Sequence, residues 1–204
     1  MAYIISSDDI KEGLPDYDPS RAEVFHEEST RLADKAYEDA LRNRSEDTVV
    51  IMSGGSASGK SEYVSAYLSS KQVIVYDGTS SKLTRATTKI EKALKYKKNV
   101  EIHAVWPADF ATAFEAFFSR DRQFSLKHFY RTHSDSRSSL LRIAREYPDI
   151  PITIIKSSYN PKKKGQKMEF RILTDKNKDD FIEFLQKNQY NEEQIKHAQG
   201  LYDV

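Results

Sequence analysis

Residues Gly54-Gly55-Ser56-Ala57-Ser58-Gly59-Lys60-Ser61 fit the pattern G-x-x-x-x-G-K-[ST]. Such a loop can do one kind of chemistry well. Its glycines let the backbone curl until successive N–H groups face a phosphate, and a helix that follows presents its positive end to the same charge. Lys60 is long enough to reach the β- and γ-phosphates of a nucleotide. The Ser61 hydroxyl suits Mg²⁺. ATP and Mg²⁺ are therefore the expected ligands, with ATP expected over GTP. Val73-Ile74-Val75-Tyr76-Asp77 is an apolar strand ending in an acid, which suits Mg²⁺ held through water by Asp77 and directly by Ser61. Asp77 also opens an Asp-Gly-Thr turn, so helix capping is its competing role.

Outside the loop, Asp8-Asp9 closes an apolar N-terminal run and is read as a site acid or a helix cap. Arg120, Arg122, Arg131 and Arg137 fall in a stretch rich in Ser, His and Phe. That composition suits a mobile lid whose guanidinium groups clamp a transferring phosphate, and it also suits a solvated helix face. Arg120 and Arg131 are the preferred pair. His26, His128 and His133 lack metal-ligand spacing, so no zinc is assigned.

Several of these segments resemble the zeta-toxin family of P-loop kinases. Asp8-Asp9-Ile10-Lys11 followed by Leu14-Pro15-Asp16-Tyr17 resembles the family's strand-end acid, with a lysine three residues on and an L-P-x-Y turn. His26-Glu27-Glu28-Ser29 resembles its H-E-E-S helix, Asp77-Gly78-Thr79 its acidic-Gly-Thr turn, and Arg120 and Arg131 its two lid arginines. The similarity touches residues 3–155. The order differs: in the family the P-loop comes first, whereas here the acidic strand and H-E-E-S helix precede it.

The resemblance implies transfer of the ATP γ-phosphate to a hydroxyl group; in zeta toxins the acceptor is a UDP-activated amino sugar. On this carry-over Asp8, or Asp9 one residue on, takes the acceptor's proton. Lys60, Arg120 and Arg131 neutralise the moving phosphate, and Asp9, Lys11, His26, Glu27, Ser29, Asp77 and Thr79 line the substrate site. The resemblance also leaves room for an antitoxin-like protein partner.

The elements that must position these groups follow from periodicity. Apolar runs at Ala2–Ser7, Thr48–Met52, Val73–Tyr76, Val100–Val105 and Ile152–Ile155 read as strands, and Met168–Leu173 as a sixth. Helical spacing covers Ser20–Arg44, Lys60–Ser69, Leu83–Lys95, Phe110–Phe118 and Ser138–Glu146, with one or two helices in Lys178–Gln199. Lys162–Lys167 reads as a solvated loop. Alternating strands and helices imply a P-loop kinase-like three-layer α/β sandwich with a mostly parallel sheet and an arginine-bearing lid. Ligands of such sheets bind beyond the carboxyl ends of the strands. The permuted order is accommodated if Ala2–Ser7 pairs beside Thr48–Met52, with the Asp8 carboxylate within about 10 Å of the Lys60 ammonium.

The chain's 204 residues suit a single domain, with 160–204 as a C-terminal strand and helix extension. Lys+Arg at 32 against Asp+Glu at 31 lacks the basic excess of a nucleic-acid-coating protein. The absence of cysteine excludes disulfides and thiolate metal sites. No apolar run approaches the ~20 residues of a membrane span, and MAYIISSDD is too short and acidic for a signal peptide, so a cytoplasmic protein is expected. Three functions remain open: a small-molecule kinase, a nucleoside or nucleic-acid-end kinase, and an ATP-hydrolysing switch.

Overall fold

The computed structural model describes residues 1–122, 124–158, 168–173 and 178–198. Six strands form one sheet: β1 (Tyr3–Ser6), β2 (Thr48–Ser53), β3 (Ile74–Asp77), β4 (Asn99–Pro107), β5 (Ile152–Ser158) and β6 (Glu169–Ile172). Their order is β1-β3-β2-β4-β5-β6, parallel throughout except for β6, which runs antiparallel to β5. The helices are α1 (Ser7–Glu12), α2 (His26–Asn43), α3 (Lys60–Tyr63, continued by a π turn through Leu68), α4 (Leu83–Lys95), α5 (Phe110–Phe118), α6 (Leu126–Glu146), α7 (Lys178–Lys187) and α8 (Glu192–Ala198).

Strand residues alternate between two cores, as a pleat requires. Ile5, Val49, Ile51, Ile74, Ile102 and Ile154 face a core shared with α2, α4, α6 and α7. Val50, Met52, Val75, Val105 and Ile155 face the opposite side, against Tyr63, Val64 and Leu68 of α3 and its π turn. Both faces are covered, which is why β2 and β3 read as continuous apolar runs. A third cluster joins Phe110, Ala113 and Phe117 of α5 to Phe129 of α6 and Ile195 of α8. Leu185 of α7 is fully buried in the first core, so the C-terminal helices are built into the fold.

One expected neighbour relation is corrected. β1 does not pair with β2; β3 lies between them, with Ser6 level with Asp77 and Ile74 level with Val49. The burial patterns give the reason. All four β3 residues are buried, whereas Tyr3 and Ile4 of β1 are exposed, so the half-wet strand takes the sheet edge. Several boundaries also move. The first long helix starts at His26, after a 3₁₀ turn at Pro19–Arg21, and the expected break before Ser138 is absent because α6 runs unbroken for 21 residues. The lysine loop at 162–167 lies outside the described residues. No helix among the described residues is long and apolar enough to cross a membrane.

Candidate active site

β2 delivers the chain to Gly54 at the carboxyl edge of the sheet. There φ is +134°, and a Cβ would sit 2.2 Å from the Val105 carbonyl oxygen of β4, so only glycine fits. The Gly54 N–H donates to the Thr79 carbonyl at 3.1 Å, and the Ser157 hydroxyl of β5 donates to the Ser58 carbonyl at 2.7 Å. The loop is thus fastened to the turn after β3 on one flank and to β5 on the other. Gly59, at φ +87°, swings the chain into α3, whose N-terminus no side chain caps.

Lys60 reaches back across the loop, its Nζ donating to the Gly55 carbonyl at 2.7 Å. Burial pulls its pKa down to about 8; attraction to Asp77 and Asp8 opposes the shift, and Arg120 adds to it. An ammonium so poorly solvated gains strongly from an anion beside it. The Ser61 hydroxyl donates to Asp77 Oδ2 at 2.7 Å. Burial pushes the Asp77 carboxyl above its ordinary range, with Lys60 and the Ser61 hydrogen bond pulling the other way.

Among the described residues no three His, Cys, Asp or Glu side chains gather as a metal cluster. The hydroxyl–carboxylate pair still fits Mg²⁺, which binds through one or two protein oxygens and keeps most of its waters. Ser61 would ligate it directly and Asp77 through a water, and a metal bound there would supply positive charge beside any phosphate in the loop.

Asp8 lies in the first turn of α1, where the Ser6 side chain accepts the Asp9 N–H as N-cap. Its two oxygens take different cations: Oδ1 meets Lys11 Nζ at 3.1 Å, and Oδ2 meets Arg122 Nη1 at 2.8 Å. Burial raises the Asp8 pKa, but Arg122, Lys11 and Lys60 together outweigh it, so the carboxyl titrates below its ordinary range. A carboxylate held so low orients a hydroxyl better than it removes a proton. Lys11 is fully buried, with its Nζ 4.8 Å from the Phe124 ring centroid.

A cavity of about 310 Å³ opens between these groups. Of the expected site residues, Asp8, His26, Ser56, Ala57, Ser58, Gly59, Lys60, Ser61, Asp77, Thr79, Arg120 and Arg131 line it. Gly54 and Gly55 shape the loop behind it, and Lys11 supports Asp8. Asp9, Glu27 and Ser29 do not reach it. Asp9 and Glu27 are exposed, and Ser29 is buried with its hydroxyl on the His26 carbonyl at 3.1 Å. Only the first residue of the H-E-E-S segment, with Thr30 one turn on, faces the space.

The four arginines separate. Arg120 and Arg122 sit between α5 and α6, and Arg131 on α6, all at the cavity. Arg137 is buried, 4.1 Å over the Trp106 ring, with Nη1 on the Asn188 carbonyl at 3.0 Å; it is a packing residue. Arg122 was undervalued by the sequence. Arg85 and Lys82 at the start of α4, also in the lining, were missed. Their signal was position: a helix that follows the Asp77-Gly78-Thr79 turn begins on the ligand side of the sheet.

The chain matches no family model, and no curated protein matches it. One segment bears on the choice of nucleotide: Asn177-Lys178-Asp179-Asp180 has N-K-x-D spacing, a pattern associated with guanine recognition. α7 starts at its second residue, Lys178, and residue 177 and the side chains of 178 and 179 lie outside the described residues. The expectation of ATP over GTP rests on that pattern being absent; it is present, so this ground for preferring ATP falls away.

Proposed function

We propose that the protein is a nucleotide-dependent phosphotransferase that moves the γ-phosphate of ATP to a hydroxyl of a small-molecule acceptor. The observation that carries this reading is that Lys60, the Ser61–Asp77 pair and the Asp8 carboxylate line one cavity, with Arg120, Arg122 and Arg131 around it. A hydrolytic switch needs the first two features. It has no need of a carboxylate fixed by two cations and facing open space.

In this reading the loop amides and Lys60 hold the triphosphate. Asp8 accepts a hydrogen bond from the acceptor hydroxyl and aims its oxygen at phosphorus. A new O–P bond forms as the bond to the β–γ bridging oxygen breaks, ADP departs with that electron pair, and the hydroxyl proton passes to Asp8 or onward to water. Arg120 and Arg131 stand where charge spreads over the moving group. The likeness to zeta toxins supports a nucleotide-sugar acceptor; it rests on Asp8, His26, Asp77, Thr79 and the two arginines and draws nothing from Glu27 or Ser29.

The test is turnover with labelled ATP or GTP against a panel of nucleotide sugars, nucleosides and oligonucleotides, in the wild type and Asp8→Asn. A kinase shows acceptor-stimulated transfer that falls by ~10²–10⁴ in the variant, the range for loss of an acid–base group. Nucleotide affinity should stay level or tighten slightly, because a negative charge near the triphosphate has gone. Acceptor-independent hydrolysis that ignores the substitution would instead make the protein a switch.

A further inference from the structure

Ser56 is gripped at both ends by one helix. Its N–H donates to Thr132 Oγ1 at 3.0 Å, and its carbonyl accepts the His133 Nε2–H at 2.9 Å. Thr132 and His133 are both buried on α6. The His133 ring lies so close over Gly55 that a Cβ there would come within 2.2 Å of it. Phe129 at 4.5 Å and Phe110 at 5.3 Å hold the ring on other sides. Burial pushes its pKa down to about 3, helped by repulsion from Arg137, so the imidazole is neutral at any working pH. A neutral imidazole has a single N–H, and the Ser56 carbonyl fixes it on Nε2.

These contacts set which way the loop's peptide groups face. A trans peptide points its carbonyl and the next N–H in opposite directions. With the Ser56 carbonyl turned to α6, the Ala57 N–H points away from that helix. The Gly55 carbonyl is occupied by Lys60. A phosphate loop needs its amides toward the anion and its carbonyl oxygens away, since an oxygen facing phosphate repels it.

We infer that Thr132 and His133 are a positioning pair: His133 turns the Ser56–Ala57 peptide so that the Ala57 N–H points away from α6 and toward a phosphate, while Thr132 holds the preceding Gly55–Ser56 peptide by its N–H. The inference rests on the nucleotide-binding reading. The same helix carries Arg131 and Asp135 to the cavity wall, so the pair also sets the loop in register with the acceptor side.

Three variants test it. His133→Gln keeps an N–H at similar reach, His133→Met keeps length without a donor, and Thr132→Val keeps shape without an acceptor. Two quantities are measured: affinity for Mg²⁺·ATP by calorimetry, and amide exchange across residues 54–61 without nucleotide. His133→Met and Thr132→Val should each weaken ATP by about tenfold and speed loop exchange by a similar factor, the scale of one lost hydrogen bond. His133→Gln should restore both, which a purely structural role for the ring would not predict. ATP affinity unchanged in both His133→Met and Thr132→Val overturns the inference. If the wild type itself binds no nucleotide, the phosphotransferase reading fails on that arm. The exchange arm still decides the grip, because unchanged loop exchange in both variants refutes it.

Discussion

Replacing Lys60 by Met should stabilise the free protein while destroying its affinity for nucleotide. Lys60 titrates at about 8 in the fold against an ordinary 10.5. The charged form is therefore disfavoured in the fold by about 3 kcal/mol, at roughly 1.4 kcal/mol for each tenfold change in proton affinity. The sign follows from which state binds the proton more tightly. Below pH ~8 both states carry it, and the folded state bears the full penalty. As pH rises from about 8 toward 10.5 the folded protein releases the proton first, and the penalty fades. Urea unfolding of wild type and Lys60→Met at about pH 7 and about pH 9.5 reads this directly. The variant's advantage should shrink by about 2 kcal/mol between the two conditions.

An Asp77→Asn background removes that carboxyl's own titration from the comparison. For ATP the same linkage predicts uptake of one proton on binding above pH ~8, so affinity should weaken by up to tenfold per pH unit there. Parallel stability curves, together with an ATP affinity flat across the range, would refute the claim that a desolvated ammonium waits for phosphate at this position.

Asp77→Asn should raise the Mg²⁺ concentration needed for half-maximal turnover by ~10–100-fold, the usual effect of removing an outer partner of a metal ligand. Binding of metal-free ATP, followed by calorimetry, should change little. Gly54→Ala forces a Cβ to 2.2 Å from the Val105 carbonyl oxygen at a φ of +134°, where the atom it meets is backbone and cannot swing aside. Nucleotide binding should be lost, and a crystal structure of the variant should show the loop displaced from β4. Arg137→Ala removes a side chain packed over Trp106 and bonded to Asn188 and leaves a cavity in its place; the lost packing outweighs relief of the burial that pulls the Arg137 pKa down to about 10, and the variant should lose about 2 kcal/mol, read as a fall in melting temperature of about 4–8 °C. An unchanged melting temperature would mean that this buried cation contributes nothing to the fold.

The Gly54–Ser61 loop was legible because its glycines sit where a side chain would be strained or would clash. Gly54 and Gly59 hold positive φ, and Gly55 lies under a ring, so the pattern of glycines is a record of geometry. Strand adjacency was not legible. Chain order suggested β1 beside β2, and only the burial of β3 on both faces, set against the exposed Tyr3 and Ile4, decides otherwise. The preferred arginines, Arg120 and Arg131, both line the cavity, with Arg122 the one undervalued; what stayed hidden was why Arg137 turns inward. Ending one segment at Arg137 and opening another at Ser138 hid the phase of α6.

Read as one helix, Phe129, Thr132, His133, Ser136, Arg137, Leu140, Ile143 and Ala144 recur every three or four residues on its buried face, with Arg131 outside that stripe. Arg137 then belongs to the core by phase alone, and Arg131 to solvent or ligand. The same phase exposes a second signal, because polar side chains on an inward stripe must each find a partner or cost stability. Thr132 and His133 find theirs on Ser56 of the loop. A run of buried polar positions in an otherwise apolar helical face is thus a readable sign that the helix packs on a polar backbone segment. In this chain that segment is the glycine-rich Gly54–Ser61 loop.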